Sequence, residues 1–279
     1  MKFRFISHCR DIEFFNPLKE GMRNAAELLG VEAEFVGTED LDIEEQKALF
    51  EKALEEGVDG IAITITHETF FNDSIEKALA RNIPVVCFNV DASNGEGSFL
   101  ASTVQDTFLA GKKLGHYMAE RMGASSRSLL TLHSDGIPSL EKRKQGVLES
   151  LSEKDIRWDF LITGNGGDEA ESRIKEHLRE NPDIEFIFGT GQDDTEGAGR
   201  AVEALGLTQS VSVCGFDLAP KTIEMIQRKV ICATVDQQPY IQGFYPVLQL
   251  YHYVTKKLIP SNIDAGSGII DFKTLEGDK

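Results

Sequence analysis

Long apolar runs are missing from this 279-residue chain. None approaches the ~18 residues needed to span a bilayer. Cysteine is sparse: Cys9, Cys87, Cys214 and Cys232 are widely spaced with no C-x-x-C. That spacing argues against a close-set cysteine framework, and all four are expected as free thiols buried as small hydrophobes. Cations are in short supply, with 29 Lys and Arg against 46 Asp and Glu and a net charge of −17. Nucleic acid binding requires cations that displace condensed counterions, so it is disfavoured, as is an anionic membrane surface. There is no G-x-x-x-x-G-K-[ST], no H-E-x-x-H and no G-x-S-x-G. GTGQDDTEGAG has glycines, but not at dinucleotide-loop spacing, and Asp193-Asp194 would repel a phosphate. The opening MKFRFIS reads as a strand with no charged-then-apolar signal segment, so a secreted form would be represented here as processed.

What is present is a soluble globular composition, 41% hydrophobic and 27% charged. The stretch from Glu185 to Asp217 sets the pattern: an apolar run, the acids Asp193 and Asp194, a helix-like segment, and a second apolar run ending on Asp217. This is a βαβ unit, whose parallel strands are buried on both faces and read as continuous apolar runs. The same alternation runs through the chain. Strands are expected at 2–7, 32–36, 58–65 and 84–91, with helices at 18–29, 42–56 and 73–81. Loop chemistry at 92–97 interrupts it, a short apolar piece at 98–101 follows, and a helix runs from about 106 to 122. A second array places strands at 128–132, 156–163, 184–189, 211–216 and 231–235, with helices at 139–151, 168–180, 195–207 and 220–228. A long helix at 239–257 and a strand at 268–272 close the chain. The fold class is α/β, with two doubly wound parallel-sheet lobes joined by three chain crossings. The lobes are expected at 1–105 plus 238–265 and at 106–237 plus 266–279, with a ligand cleft between them.

Ligands of open α/β sheets bind beyond the carboxyl ends of the strands. The candidates there are Phe14 and Phe15 after the first strand, Asn89 and Asp91 after the fourth, and Gln105 at a crossing. The second array adds Arg143, Asp193, Phe216, Asp217 and Gln237. An aromatic plate covers the C–H face of a sugar ring, while carboxylates, amides and a forked guanidinium meet its hydroxyls. Phe70, Phe71 and Trp158 read as core. His8, His67 and His133 each follow a strand and read as rim hydrogen-bonders rather than metal ligands. A pair of acids could serve a glycosidase, but a sugar cleft accounts for them without catalysis.

The order and spacing of FISHCRDIEFFNPLKEGM, VDGIAIT, IPVVCFNVD, QDTFLAGKKLGHYMAE, EKRKQG, NPDIEFIFGTGQDDTEGAGRAV, VCGFD and ATVDQQPYIQG resemble the type I periplasmic sugar-binding proteins, the ribose-binding-protein group. The resemblance implies stacking aromatics at Phe14 and Phe15 and a ligand-binding arginine at Arg143. It also implies an acid at Asp217, glutamine contacts at Gln237 and Gln105, and Asp193 where asparagine is common. Asn89 stands where the family usually has an acid, with Asp91 two residues on. Asn89-Val90 replaces the Asp-Arg pair of ribose binders, and Ile12 replaces an asparagine, so a sugar or polyol other than ribose is expected. The implied protein is a non-enzymatic, cofactor-free, monomeric receptor, periplasmic or extracellular, free or lipid-anchored. It would deliver its ligand by hinge closure to the membrane subunits of an ABC transporter. The alternatives are the ligand-sensing part of a lac-repressor-type regulator, which shares the fold, and a sugar-active enzyme.

Overall fold

Strand–helix alternation runs through residues 1–92 and 97–277, which the computed structural model describes. The loop expected at 92–97 falls largely on 93–96, outside the described residues. The chain divides into two units: Met1–Gln105 with Gln238–Ala265, and Asp106–Gln237 with Gly266–Lys279. It therefore passes from one to the other three times.

In the first unit β1 (Lys2–Ser7), β2 (Glu32–Gly37), β3 (Gly60–Ile65), β4 (Val85–Asp91) and β5 (Ser102–Val104) form a parallel sheet, with the two-residue β11 (Ile263–Asp264) pairing parallel to β5. The order is β11-β5-β4-β3-β1-β2. β3 is buried along its whole length, as a central parallel strand should be. Helix α1 (Phe15–Leu29) buries one stripe, Phe15, Leu18, Met22, Ala25 and Ala26, and stops at Gly30, whose φ of 65° suits a residue without Cβ. Asp42 caps α2 (Ile43–Glu55) by accepting from the Glu44 and Glu45 amides at 2.9 Å. Helix α3 is Asn72–Ala80, and α9 (Pro239–Lys256) packs against α1.

In the second unit β6 (Ser125–Leu132), β7 (Asp155–Ile162), β8 (Phe186–Gly189), β9 (Ser212–Phe216) and β10 (Ile231–Asp236) are parallel, and β12 (Gly268–Asp271) pairs antiparallel with β10. The order is β12-β10-β9-β8-β6-β7. Helices α4 (Thr107–Ala119), α5 (Pro138–Ser150), α6 (Gly167–Glu180), α7 (Gln192–Ala204), α8 (Pro220–Gln227) and α10 (Phe272–Glu276) complete it. A cluster including Leu130, Leu132, Phe188, Cys214, Phe216 and Val235 fills one face of this sheet, and one including Ile187, Val213, Ile226 and Ile231 fills the other.

Each unit holds one helix pair in backbone contact through two glycines. A Cβ on Gly21 would strike the Tyr240 carbonyl and one on Gly243 the Leu18 carbonyl, where α1 meets α9. Gly111 and Gly146 stand in the same relation to the Arg143 and Phe108 carbonyls, where α4 meets α5. Sequence patterning missed β11 and α10, which are too short to show a period, and it began α1 three residues late.

Candidate functional site

In the first unit the loop after β1 delivers the two phenylalanines to different places. Phe15 opens α1, is 0% exposed, and packs with Phe3, Phe5, Leu18 and Phe88. Its ring meets His8, Phe14 and Phe35 at centroid distances of 5.4–5.7 Å. Phe14 is only half-buried and lies edge-on to it, so Phe14 keeps the more accessible ring. His8, beneath them, contacts Thr64 Oγ1 through Nδ1 at 3.1 Å, and burial pulls its pKa down to about 4, leaving a neutral ring.

Asn89 sits near the carboxyl end of β4 with φ 62°. The β3–β4 register jumps there, from Ile63 opposite Cys87 to Ile65 opposite Asp91. Such an irregularity re-aims side chains at a sheet rim. The Asn89 Nδ2 donates to Gln242 Oε1 at 2.8 Å, from one turn inside α9. Asp91 is half-buried at the strand's end, and Gln105 is buried just before α4.

In the second unit the candidates form a connected array. Arg143, on α5, is 4% exposed. Its Nη1 donates to the Thr190 carbonyl at 2.8 Å, and its guanidinium carbon lies 4.3 Å from the Phe216 ring centre. Burial lowers its pKa, while the charges of Asp217 and Asp194 pull it back up, so the guanidinium stays charged. Phe216 is wholly buried, and its ring serves as the surface on which this cation rests. Asp217 follows β9 with φ 73° and is 8% exposed. Its Oδ1 accepts from Gln237 Nε2, its amide donates to the Val235 carbonyl at 3.0 Å, and its carbonyl accepts from Thr234 Oγ1 at 2.9 Å.

The expected acidic loop at 193–194 is instead the first turn of α7. The two acids there do different work. Asp194 is fully buried and accepts from the Thr190 amide at 2.6 Å, the Gly191 amide at 2.8 Å and Thr131 Oγ1 at 2.9 Å. It is the third residue of α7 and reaches back to the N-cap residue Gly191, and burial pushes its pKa up to about 7 against those donors. Asp193 is half-buried and accepts from the Gly166 amide at 2.9 Å. Sequence reading placed Asp194 in an acidic loop beside Asp193 and did not single out Thr190 or Gln242. G-x-x-D at 191–194 signalled the cap; nothing local marked the other two. Among the described residues no group of three or more His, Cys, Asp or Glu could hold a metal ion, and no helix is long and apolar enough to cross a membrane.

Each unit gathers polar side chains near its strand ends, the edge where ligands of open α/β sheets bind, and the first unit adds the half-buried Phe14. The periplasmic binding protein domain family matches residues 3–258, and the chain belongs to it. Membership places the protein among extracytoplasmic binding proteins rather than enzymes. It is similar to the xylose/arabinose-binding protein XylF of Sulfolobus acidocaldarius, at 28% identity over 290 residues covering 99% of this chain and 72% of XylF. Of solved structures, a periplasmic sugar-binding protein of an ABC sugar transporter from Legionella pneumophila is similar at TM-score 0.84 and 28% identity, covering 95% of this chain and 99% of that one. GanP, a glucose-galactose binding protein from Geobacillus stearothermophilus, is similar at TM-score 0.85 and 27% identity, covering 98% of both chains.

Proposed function

We propose that this protein is the receptor of an ABC transporter for a monosaccharide or polyol, working as a monomer, either free or lipid-anchored outside the cytoplasm. The observation that carries the reading is the array of Arg143 on Phe216 beside the Asp217–Gln237 pair. A buried, permanently charged fork next to a carboxylate and an amide offers donors and acceptors at fixed spacing, which suits vicinal hydroxyls. Phe14 supplies an apolar plate for a ring's C–H face, and Asn89, Asp91, Gln105 and Asp193 supply further polar contacts. The names of relatives that bind xylose, arabinose, glucose and galactose support the ligand class. The bound ligand is delivered by hinge closure to the transporter's membrane subunits.

A thermal-shift screen over pentoses, hexoses and polyols identifies the ligand, because a molecule that binds only the native state raises the melting temperature. Calorimetry on Arg143→Ala and Asp217→Ala then tests the site. A large fall in affinity is expected in both; wild-type affinity in both would end this assignment.

A further inference from the structure

Cys214 and Cys232 lie on the neighbouring parallel strands β9 and β10. The β9–β10 ladder runs from Ile231 opposite Val213 to Ala233 opposite Cys214, so Cys232 is the extra residue of a bulge. In a bulge two residues oppose one on the partner strand. Cys232 thus lies next to Ala233, the residue opposite Cys214, and both cysteines join the cluster containing Met118, Phe188 and Phe216. Adjacent strands are about 4.8 Å apart, inside the range of about 4.4–6.8 Å between Cα atoms that a disulfide spans. We propose that Cys214 and Cys232 form a redox-active pair that closes to a disulfide in an oxidising extracytoplasmic setting and staples β9 to β10.

The two thiols are not equivalent. Cys232 is half-buried, its Sγ 2.8 Å from the Val213 carbonyl and 3.6 Å from Met118 Sδ, while Cys214 is fully buried with its Sγ 3.6 Å from the Ile187 carbonyl. Hydrogen bonding from Cys214 is the largest influence holding the Cys232 thiol below its ordinary range, with the Arg121 charge helping, whereas burial pushes Cys214 well up. Cys232 is thus the attacking thiolate and Cys214 the resolving thiol. The oxidant is a disulfide, either a small-molecule disulfide or that of a thiol–disulfide oxidoreductase. Cys232 S⁻ attacks one of its sulfurs, breaking that S–S bond and releasing one thiolate. Cys214, giving up its proton, then attacks Cys232 Sγ and expels the second thiolate. Two protein thiols lose two electrons and two protons, and one external disulfide becomes two thiols. The staple joins strands that lead directly into Asp217 and Gln237, so it fixes the spacing of those rim residues. The inference does not depend on which sugar is bound.

The test treats the intact chain with oxidised glutathione and maps tryptic peptides by mass spectrometry. Cys214 and Cys232 fall in different peptides because Lys221 and Lys229 lie between them. The expected product is a cross-linked pair two hydrogens lighter than the sum of its parts, with Cys9 and Cys87 still free. The melting temperature should rise by about 5 °C and fall back on reduction. Cys232→Ala and Cys214→Ser should each lose both signals, and the two variants guard against one of them failing to fold. Four free thiols after oxidation of the folded wild type would overturn the proposal. So would a lasting glutathione adduct on Cys232 or a pairing that involves Cys9 or Cys87.

Discussion

The two units carry the same strand order, β11-β5-β4-β3-β1-β2 in one and β12-β10-β9-β8-β6-β7 in the other, so β4 corresponds to β9. At the carboxyl end of each of these strands the backbone turns left-handed, at Asn89 with φ 62° and at Asp217 with φ 73°. Asn and Asp tolerate that conformation better than other residues with a Cβ. Each is held by a glutamine, Asn89 by Gln242 and Asp217 by Gln237. The backbone geometry of the rim thus belongs to the topology and is shared. The cation is not shared: one rim offers Phe14, a neutral amide pair and the half-buried Asp91, the other a buried guanidinium with carboxylates around it. One fold, used twice, separates an apolar plate from a charged clamp.

That asymmetry predicts where affinity resides. Arg143→Ala removes a charge-assisted donor from a buried position, and each hydrogen bond to a charged group contributes about 1.5–3 kcal/mol. Sugar affinity by calorimetry should fall about 100-fold, far more than for any single change at Phe14 or Asn89. An equal loss from both rims would break the comparison.

Next in size is a pH effect in the second unit. The folded pKa of Asp194, about 7, lies above the unfolded carboxylate value of about 3.9. The folded state therefore holds this proton more tightly. The stabilisation is complete below pH 4 and is lost as pH rises through 7. From pH 5.5 to 8 this one group should cost about 2 kcal/mol, and Asp194→Asn should flatten that slope in urea titrations. At the acid end the sign reverses for Asp159 and Asp183. Burial pushes Asp159 up, but Arg127 and His177 outweigh it and hold its carboxylate below the usual range, as Arg127 does for Asp183, and these contributions disappear as pH falls through the lowered values. A wild-type slope unchanged by Asp194→Asn would mean that other groups set it.

A smaller effect, about 1 kcal/mol, isolates the shared backbone. Replacing Asn89 or Asp217 by Ala imposes a left-handed conformation on a residue that resists it; replacing it by Gly removes the same hydrogen bonds without that strain. The Ala-minus-Gly difference in unfolding free energy should therefore be alike at both positions. A difference at only one would show that the two strand ends are not equivalent.

Much of this was legible in the sequence because buried parallel strands leave unbroken apolar runs, such as GIAITI in β3 and SVCGF in β9. The Asp42 cap and the acid closing β9 were legible for the same local reason. The burial of Phe15 was also legible, since it continues the helical stripe of Leu18, Met22 and Ala25 three residues earlier. The Asn89–Gln242 contact could not, because it joins residues 153 apart and depends on how α9 packs on β4. Nor could the division of labour between Asp193 and Asp194: identical side chains in adjacent positions differ only in which one points into the helix end.

The smallest predicted effect tests the apolar half of the contrast. Phe14 is half-buried and edge-on to Phe15 at 5.4 Å, so its ring is held from one side while part of it stays accessible. Phe14→Leu keeps most of the apolar area but removes the flat face. If Phe14 stacks on a sugar ring, affinity should fall two- to three-fold, about 0.5 kcal/mol, at the low end of what aromatic geometry adds beyond buried area. Unfolding free energy should barely move. Phe15→Leu should do the reverse, costing about 1 kcal/mol of stability through imperfect repacking of a wholly buried site while leaving affinity near wild type. If Phe15→Leu weakened binding more than Phe14→Leu did, the plate would be Phe15, exposed by a rearrangement of the loop after β1, and the first unit's rim would have to be redrawn around it.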